Sequence, residues 1–163
     1  MDNTLYKELN EQVRKELYSA YLYMSMASYF DSLKLKGFAH WMKVQAEEES
    51  SHAMKIYDYL NSRGERVIFE SIDKPPSDFK SPVDVFEKTL EHEKKVTESI
   101  ANLYRMSKDA NDYATEVFLQ WFINEQVEEE KQAFKILEQL KKIEGKEHLI
   151  FMIDRELGKR EDK

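Results

Sequence analysis

Residues 65–81, ERVIFESIDKPPSDFKS, separate two long stretches of helical pattern near the middle of the chain. The two prolines at 75–76 disfavour a helix inside this segment. Gly64 just before it is typical of a helix end, and Ser81 followed by Pro82 is typical of a helix start. We therefore interpret residues 65–81 as one connection, which is unusually long for a compact domain.

Two long helices are predicted on each side of this connection. Gly37 interrupts the first helical stretch, a break near residues 109–112 divides the second, and Gly145 ends the fourth helix. Helices of roughly 30 residues form rods about 45 Å long, so short breaks make antiparallel hairpins and only the long connection can run from end to end. The sequence predicts an all-α four-helix bundle with one long crossover and a short fifth C-terminal helix at 146–158, in a single domain spanning 1–163.

The composition excludes several classes of protein. The 163 residues include 25 basic and 32 acidic side chains, and the net charge of −7 disfavours nucleic-acid binding. The sequence has no cysteine, which excludes disulfides, thiolate metal sites and cysteine-ligated haem. We expect no signal peptide and no membrane span, because no cationic start precedes an apolar run and no uncharged apolar stretch is long enough. A cytoplasmic location is expected.

Each long helix has an apolar stripe, at spacings of three and four residues, that carries a carboxylate near its middle. The four carboxylates are Glu16, Glu49, Glu93 and Glu129. An isolated glutamate on such a stripe is commonly solvated at the bundle surface. Four of them at matching depth are better explained by a shared buried centre.

The two hairpins also share an internal spacing. Glu16 and Glu49 are 33 residues apart, and so are Glu93 and Gln126. Corresponding positions of the hairpins are 77 residues apart, and His52 has a glutamate as its counterpart. We interpret the hairpins as two halves of an internal pseudo-repeat.

Burying several carboxylates together costs free energy unless they are neutralised, and no Lys or Arg lies near them on the stripes. Two divalent cations would balance four carboxylates, and His52 lies one turn after Glu49 on the same face. The sequence predicts a dinuclear metal site with nearly all-oxygen ligands, suited to Fe, Mn, Mg or Zn. Its predicted ligands are Glu16, Glu49, His52, Glu93 and Glu129.

Further candidates lie beside this predicted centre. Tyr23 and Trp121 could donate an electron or hydrogen-bond an oxygen species, although both also suit a plain core position. Glu48, Glu125 and Glu128 could form a third cation site, with a solvated acidic face as the alternative.

Five motifs carry a family resemblance: NEQVRKELYSAYLY, AEEESSHAMKIYDYL, LEHEKKV, FLQWFINEQVEEEK and FMIDREL. Together they extend over almost the whole chain, and they closely resemble the bacterial and archaeal non-haem ferritins. The resemblance implies a ferritin-like fold with three iron sites in each subunit. The first has the ligands Glu16, Glu49 and His52. The second has the ligands Glu49, Glu93 and Glu129, with Glu49 bridging. The third comprises Glu48, Glu125, Glu128 and, in part, Glu129.

The resemblance further implies that Gln126 hydrogen-bonds the oxygen ligand and that Tyr23 lies beside the di-iron centre. The chain departs from the bacterioferritins at two places. The second half has Gln126-x-x-Glu129 where they have Glu-x-x-His, and Ser50 stands where they have a haem-ligating Met. Haem is therefore not expected.

By resemblance, the expected function is iron storage with ferroxidase activity. Fe²⁺ and O₂ would be the substrates, with H₂O₂ as an alternative oxidant, and the ferric mineral would be kept inside a hollow 24-subunit homo-oligomer. Helix 146–158 would line the fourfold axis, and Asp109, Asp112 and Glu116 are candidates for the threefold channels. Two other functions remain open on the sequence alone, a di-iron oxygenase or peroxidase and a structural cage whose metals only brace the bundle.

Overall fold

A computed structural model describes residues 1–162, and within them the chain is helical with no strand. The helices are α1 (Asn3–Ser32), α2 (Lys36–Ser62), α3 (Pro82–Asp109), α4 (Tyr113–Lys142) and α5 (Ile150–Leu157), with one 3₁₀ turn (Glu147–Leu149) before α5. The predicted all-α four-helix bundle with a short fifth helix is confirmed. No helix in this part of the chain combines the length and apolar character of a membrane span.

Side-chain caps begin three of the four long helices. Asp2 caps α1 by accepting hydrogen bonds from the backbone at Thr4 and Leu5, each 3.0 Å long. Ser81 caps α3 in the same way, with Pro82 in the first turn as predicted. Asp112 caps α4 through the Thr115 amide at 3.1 Å. Each cap satisfies a backbone donor that the helix itself leaves unpaired.

The turn between α1 and α2 differs from the sequence prediction. The break is at residues 33–35, where Lys34 adopts a positive φ of 62°, and Gly37 lies inside the first turn of α2. A Cβ at Gly37 would lie 1.7 Å from the carbonyl oxygen of Asp154, so glycine is needed here for close approach of α5. Asp154 also accepts a hydrogen bond from the Phe38 amide at 2.9 Å. The interpretation of Gly37 as the helix break was therefore wrong.

The crossover follows α1 along the bundle. The side chain of Asn10 both donates to the Ile68 carbonyl (2.9 Å) and accepts from the Ile68 amide (2.8 Å). Further along, the Ser25 hydroxyl donates to the Pro76 carbonyl at 2.6 Å. Because the connection spans this length of α1, α3 starts at the opposite end of the bundle from the end of α2. This is the predicted topology of two antiparallel hairpins joined by one long crossover.

The bundle has two apolar clusters, one towards each end. One is centred on the aromatic rings of Phe30, Phe38 and Phe86, with Leu157 of α5 packed against it. The other contains mainly aliphatic side chains together with the ring of Phe122. Between them lies a layer of buried polar side chains from all four long helices: Gln12, Glu16, Gln45, Glu49, His52, Glu93, Gln126 and Glu129.

Candidate metal centre

The four predicted glutamates meet in this polar layer, one from each long helix. Glu16, Glu49 and Glu93 are each 1% exposed and Glu129 is 3% exposed. His52, one turn after Glu49, points into the same layer and is 4% exposed. The middle position of each carboxylate on its helix is what places all four at one height in the bundle.

The carboxylates and His52 form two groups that share Glu49. One donor atom each from Glu16, Glu49 and His52 lie within 4.8 Å of one another. The same limit holds for Glu49, Glu93 and Glu129. His52 Nδ1 is 3.3 Å from Glu49 Oε2 and 4.0 Å from Glu16 Oε2. This geometry suits two adjacent cations bridged by the Glu49 carboxylate.

Hydrogen bonds hold Glu93 in place on both of its oxygens. The Tyr23 hydroxyl donates to Oε1, and Gln126 Nε2 donates to Oε2 at 3.1 Å. Gln126 Nε2 also lies 3.2 Å from the Thr97 hydroxyl oxygen. Tyr23 was predicted to lie beside the centre and Gln126 to hydrogen-bond an oxygen ligand there; the structure places both in contact with the predicted ligand Glu93.

Two glutamines that the sequence analysis did not assign also contact the centre. Gln12 Nε2 donates to Glu16 Oε1 at 3.0 Å. Gln45 Nε2 donates to Glu49 Oε1 at 3.1 Å and to Glu129 Oε2 at 2.6 Å. Each glutamine precedes a glutamate of the first hairpin by four residues, and the two are 33 residues apart. That repetition of the pseudo-repeat spacing was the available signal.

The centre carries excess negative charge. No lysine or arginine is among the buried side chains of residues 1–162. Burial, together with the charges of Glu93 and Glu16, raises the pKa of Glu49 well above its ordinary value. Burial raises the pKa of Glu93 to about 7, although the hydrogen bonds from Tyr23 and Gln126 act in the opposite direction.

A cation would relieve this charge, and buried carboxylate oxygens, including Glu16 Oε2, are available to it. Glu16 Oε2 is buried and receives no hydrogen bond within the described part of the chain. Burying such an oxygen costs free energy unless a cation or a water molecule binds to it. Burial and the neighbouring charges of Glu93 and Glu49 raise the pKa of Tyr23 well above its ordinary value, so its hydroxyl remains a hydrogen-bond donor. The residues present therefore fit a pair of hard or borderline divalent cations.

The outer acidic residues are not equivalent. Glu125 joins His52 and Glu129 in a third group of donor atoms within 4.8 Å. Glu48 forms an ion pair with Arg160 at 2.9 Å, and Glu128 is exposed on α4. The structure thus brings Glu125 to the centre, while the part of Glu48 and Glu128 in a third site stays a prediction.

Trp121 lies at the outer side of the centre. Its ring packs edge-on against His52 with centroids 5.2 Å apart, and Lys55 Nζ lies 3.7 Å above the ring centroid. The indole is 38% exposed. Its ring therefore contacts the predicted ligand His52 and the buried ring of Phe122, and its remaining surface faces solvent.

Four long helices around a shared, buried carboxylate centre define the class of di-metal carboxylate bundles. The ferritin-like domain matches residues 6–143. The chain belongs to the ferritin-like family.

Individual relatives are similar over nearly the whole chain. A bacterial non-heme ferritin of Staphylococcus epidermidis is 39% identical over 160 residues, covering 98% of this chain and 96% of that protein. The corresponding protein of Staphylococcus aureus is 37% identical over the same length.

Two solved structures of Archaeoglobus fulgidus ferritin are also similar. One, engineered to a closed form, has a TM-score of 0.98 at 45% identity and covers 100% of this chain and 99% of its own. The other, described as a novel open pore ferritin, has a TM-score of 0.97 at 46% identity, with 99% of each chain covered.

Proposed function

We propose that the protein is an iron-storage ferritin with ferroxidase activity. It binds two Fe²⁺ ions in the polar layer, oxidises them with O₂ and passes Fe³⁺ on to a ferric oxide-hydroxide mineral inside a hollow oligomeric shell. The observation that carries this proposal is the buried group of four carboxylates, which no buried lysine or arginine among residues 1–162 neutralises. The similarity to bacterial and archaeal ferritins supports iron as the metal.

The two groups of donor atoms supply the two iron positions. Glu16, Glu49 and His52 bind the first ion, and Glu49 bridges to the second. The ligands of the second ion are completed by Glu93 and Glu129. The four carboxylates match the charge of two Fe²⁺ ions, and an anionic pocket of low dielectric constant favours the more highly charged oxidised ions.

The surrounding hydrogen bonds position the ligands and move protons. Tyr23 and Gln126 fix Glu93, while Gln45 links Glu49 to Glu129. Hydrolysis of Fe³⁺ releases protons, and carboxylates around the centre that do not bind iron are able to accept them.

The surface of the single chain supports assembly. Phe151 and Met152 on α5 are 65% and 70% exposed, and Tyr113 and Val117 at the start of α4 are 70% and 67% exposed. Exposed apolar side chains grouped on helix faces are typical of subunit contacts. We propose a 24-subunit shell, in which the charge of −7 per chain attracts Fe²⁺.

An anaerobic Fe²⁺ titration of the metal-free protein, followed by air and a sizing column, tests the proposal. We expect two tight inner iron positions per chain, rapid oxidation and iron eluting with a large shell. Iron that stays at two per chain on a small oligomer would contradict storage and favour an oxygenase or peroxidase.

A matched pair of variants tests the site itself. Glu49→Ala removes the shared ligand and should lower the initial oxidation rate by more than about 100-fold, with helix content and shell size unchanged. Glu47→Ala, an exposed residue of the same helix, should leave the rate as it is. An unchanged rate in Glu49→Ala would refute the ligand assignment.

A further inference from the structure

The chain after α5 turns back onto α2 and places Arg160 next to the metal centre. Arg160 Nη1 donates to the Trp41 carbonyl at 3.0 Å, and the guanidinium lies 4.3 Å above the Trp41 ring. Arg160 Nη2 donates to Gln45 Oε1 and to Glu48 Oε2, both at 2.9 Å. The carbonyl of Arg160 is 2.8 Å from His40 Nε2. With its side chain 11% exposed, this arginine is held by α2 on several sides.

Arg160 orients the Gln45 amide. Because Gln45 Oε1 accepts from Arg160, its Nε2 group faces the opposite way, towards Glu49 and Glu129. The guanidinium is thus two hydrogen bonds away from the bridging carboxylate of the inner centre.

Glu48 is a buried carboxylate that Arg160 satisfies only in part. Its side chain is 10% exposed, and Oε2 forms the ion pair. Oε1 is buried and receives no hydrogen bond from residues 1–162. A buried carboxylate oxygen without a hydrogen bond is a ligand position for a cation.

Arg160 has room to leave this position. A cleft of about 380 Å³ lies outside Glu48, between α2, α4 and the C-terminal segment. Glu156 and Glu161 also line the cleft and offer the guanidinium other carboxylate partners. The arginine can therefore exchange partners without unfolding α5.

We propose that Arg160 is a tethered cation that occupies the outer cation position at Glu48 and is displaced when a third metal ion binds there. A guanidinium and a divalent ion on the same carboxylate repel each other at a few ångströms, so the two exclude one another. Displacement also frees the Gln45 amide, which couples filling of the outer position to the hydrogen bonds on Glu49 and Glu129. This inference rests on the proposed function, since it assumes that the inner centre binds metal.

Zn²⁺, which is not oxidised, is the probe for the first test. The assembled metal-free protein is titrated calorimetrically as wild type, Arg160→Gln and Arg160→Lys, with Arg155→Gln as control. Arg155 is exposed on α5, so its variant makes the same charge change away from Glu48. We expect the third equivalent of Zn²⁺ to bind at least about tenfold more tightly to Arg160→Gln than to wild type, while both proteins still bind the two inner equivalents. The affinity of Arg160→Lys for the third equivalent should lie between these two, because lysine keeps the positive charge but lacks the two parallel N–H donors of the guanidinium.

Fluorescence of Trp41 reports the displacement directly. In a Trp121→Phe background Trp41 is the remaining indole, since the sequence has two tryptophans. Its emission should change at the third equivalent of Zn²⁺ when Arg160 is present and stay constant in Arg160→Gln. Glu48→Gln should remove the third equivalent altogether and so assign it to this position.

A third equivalent of equal affinity in wild type and Arg160→Gln, without a Trp41 signal, would overturn the inference and leave Arg160 as a fixed anchor. Binding of only two equivalents by both proteins would overturn it as well, while the inner centre and the proposed function stand. Loss of the inner equivalents in wild type would instead refute the proposed function.

Discussion

Replacing Glu93 by glutamine should stabilise the metal-free protein, because burial makes the charged carboxylate of Glu93 unfavourable in the folded state. The pKa of Glu93 is about 7 in the folded protein, against 4.5 for the ordinary side chain. The folded state therefore holds the proton more tightly than the unfolded state, and the free energy of unfolding falls as the pH rises from about 4.5 to about 7. At about 1.4 kcal/mol per pKa unit, the penalty reaches about 3 kcal/mol at pH 8.

Glutamine avoids this penalty and fills the same volume. Its carbonyl oxygen accepts from Gln126, and its amide donates to the oxygen of Tyr23, which occupy the two sides of the carboxylate. We expect Glu93→Gln to raise the free energy of unfolding by about 3 kcal/mol at pH 8 and by only about 1.5 kcal/mol at pH 5.5. In urea, the shift at pH 8 corresponds to a midpoint about 1–2 M higher.

Urea unfolding followed by circular dichroism, with EDTA and at one protein concentration, measures this difference. Glu91→Gln is the control, since Glu91 lies on the same helix with its side chain 67% exposed and should change stability by less than about 0.5 kcal/mol. An equal shift at both pH values, or no shift at pH 8, would refute the assignment of a buried, strained carboxylate at Glu93.

Two other predictions concern the ends of the bundle. Gly37→Ala should lower the free energy of unfolding by about 1–3 kcal/mol, because the new methyl group pushes Asp154 away from the Phe38 amide; an unchanged urea midpoint would contradict the close approach. Arg63→Met should cost about 1–3 kcal/mol at pH 7, because it removes the two 3.0 Å hydrogen bonds from Arg63 to Asp112. Burial raises the pKa of Asp112, but its hydrogen bonds, including those from Arg63, together outweigh burial and keep that pKa below its ordinary value. The stability lost in Arg63→Met should therefore become smaller as the pH falls below about 4. A loss of stability that does not depend on pH would contradict the Arg63–Asp112 pairing.

The four-helix fold was predictable because its signals are local and periodic. The Ser81–Pro82 start of α3 and the long crossover could be read from single residues, and the stripes placed one carboxylate on each helix. The position of each carboxylate along its helix then fixed the height at which all four meet. Each of these features can be predicted from residues that lie within a few helical turns of one another.

The contacts that the sequence did not reveal join residues far apart in the chain. Arg160 is 112 residues from Glu48, and its place in a highly charged C-terminal tail is typical of a solvated residue. In a sequence, a glycine that ends a helix looks the same as a glycine that allows another backbone to approach closely, as Gly37 does for Asp154. In each case the deciding partner comes from another part of the fold.

The polar layer divides the interior into two separate apolar clusters, and this division determines where the bundle can open locally. Side chains from different helices hold the bundle together at both ends, while the metal-free middle contains like charges and few apolar contacts. Because the helices are packed together at both ends, they can separate locally at the polar layer while their ends stay folded. Amide hydrogens near the middle of the helices should then exchange faster than those at either cluster. Such local opening would expose the polar layer to solvent while both apolar clusters stay packed.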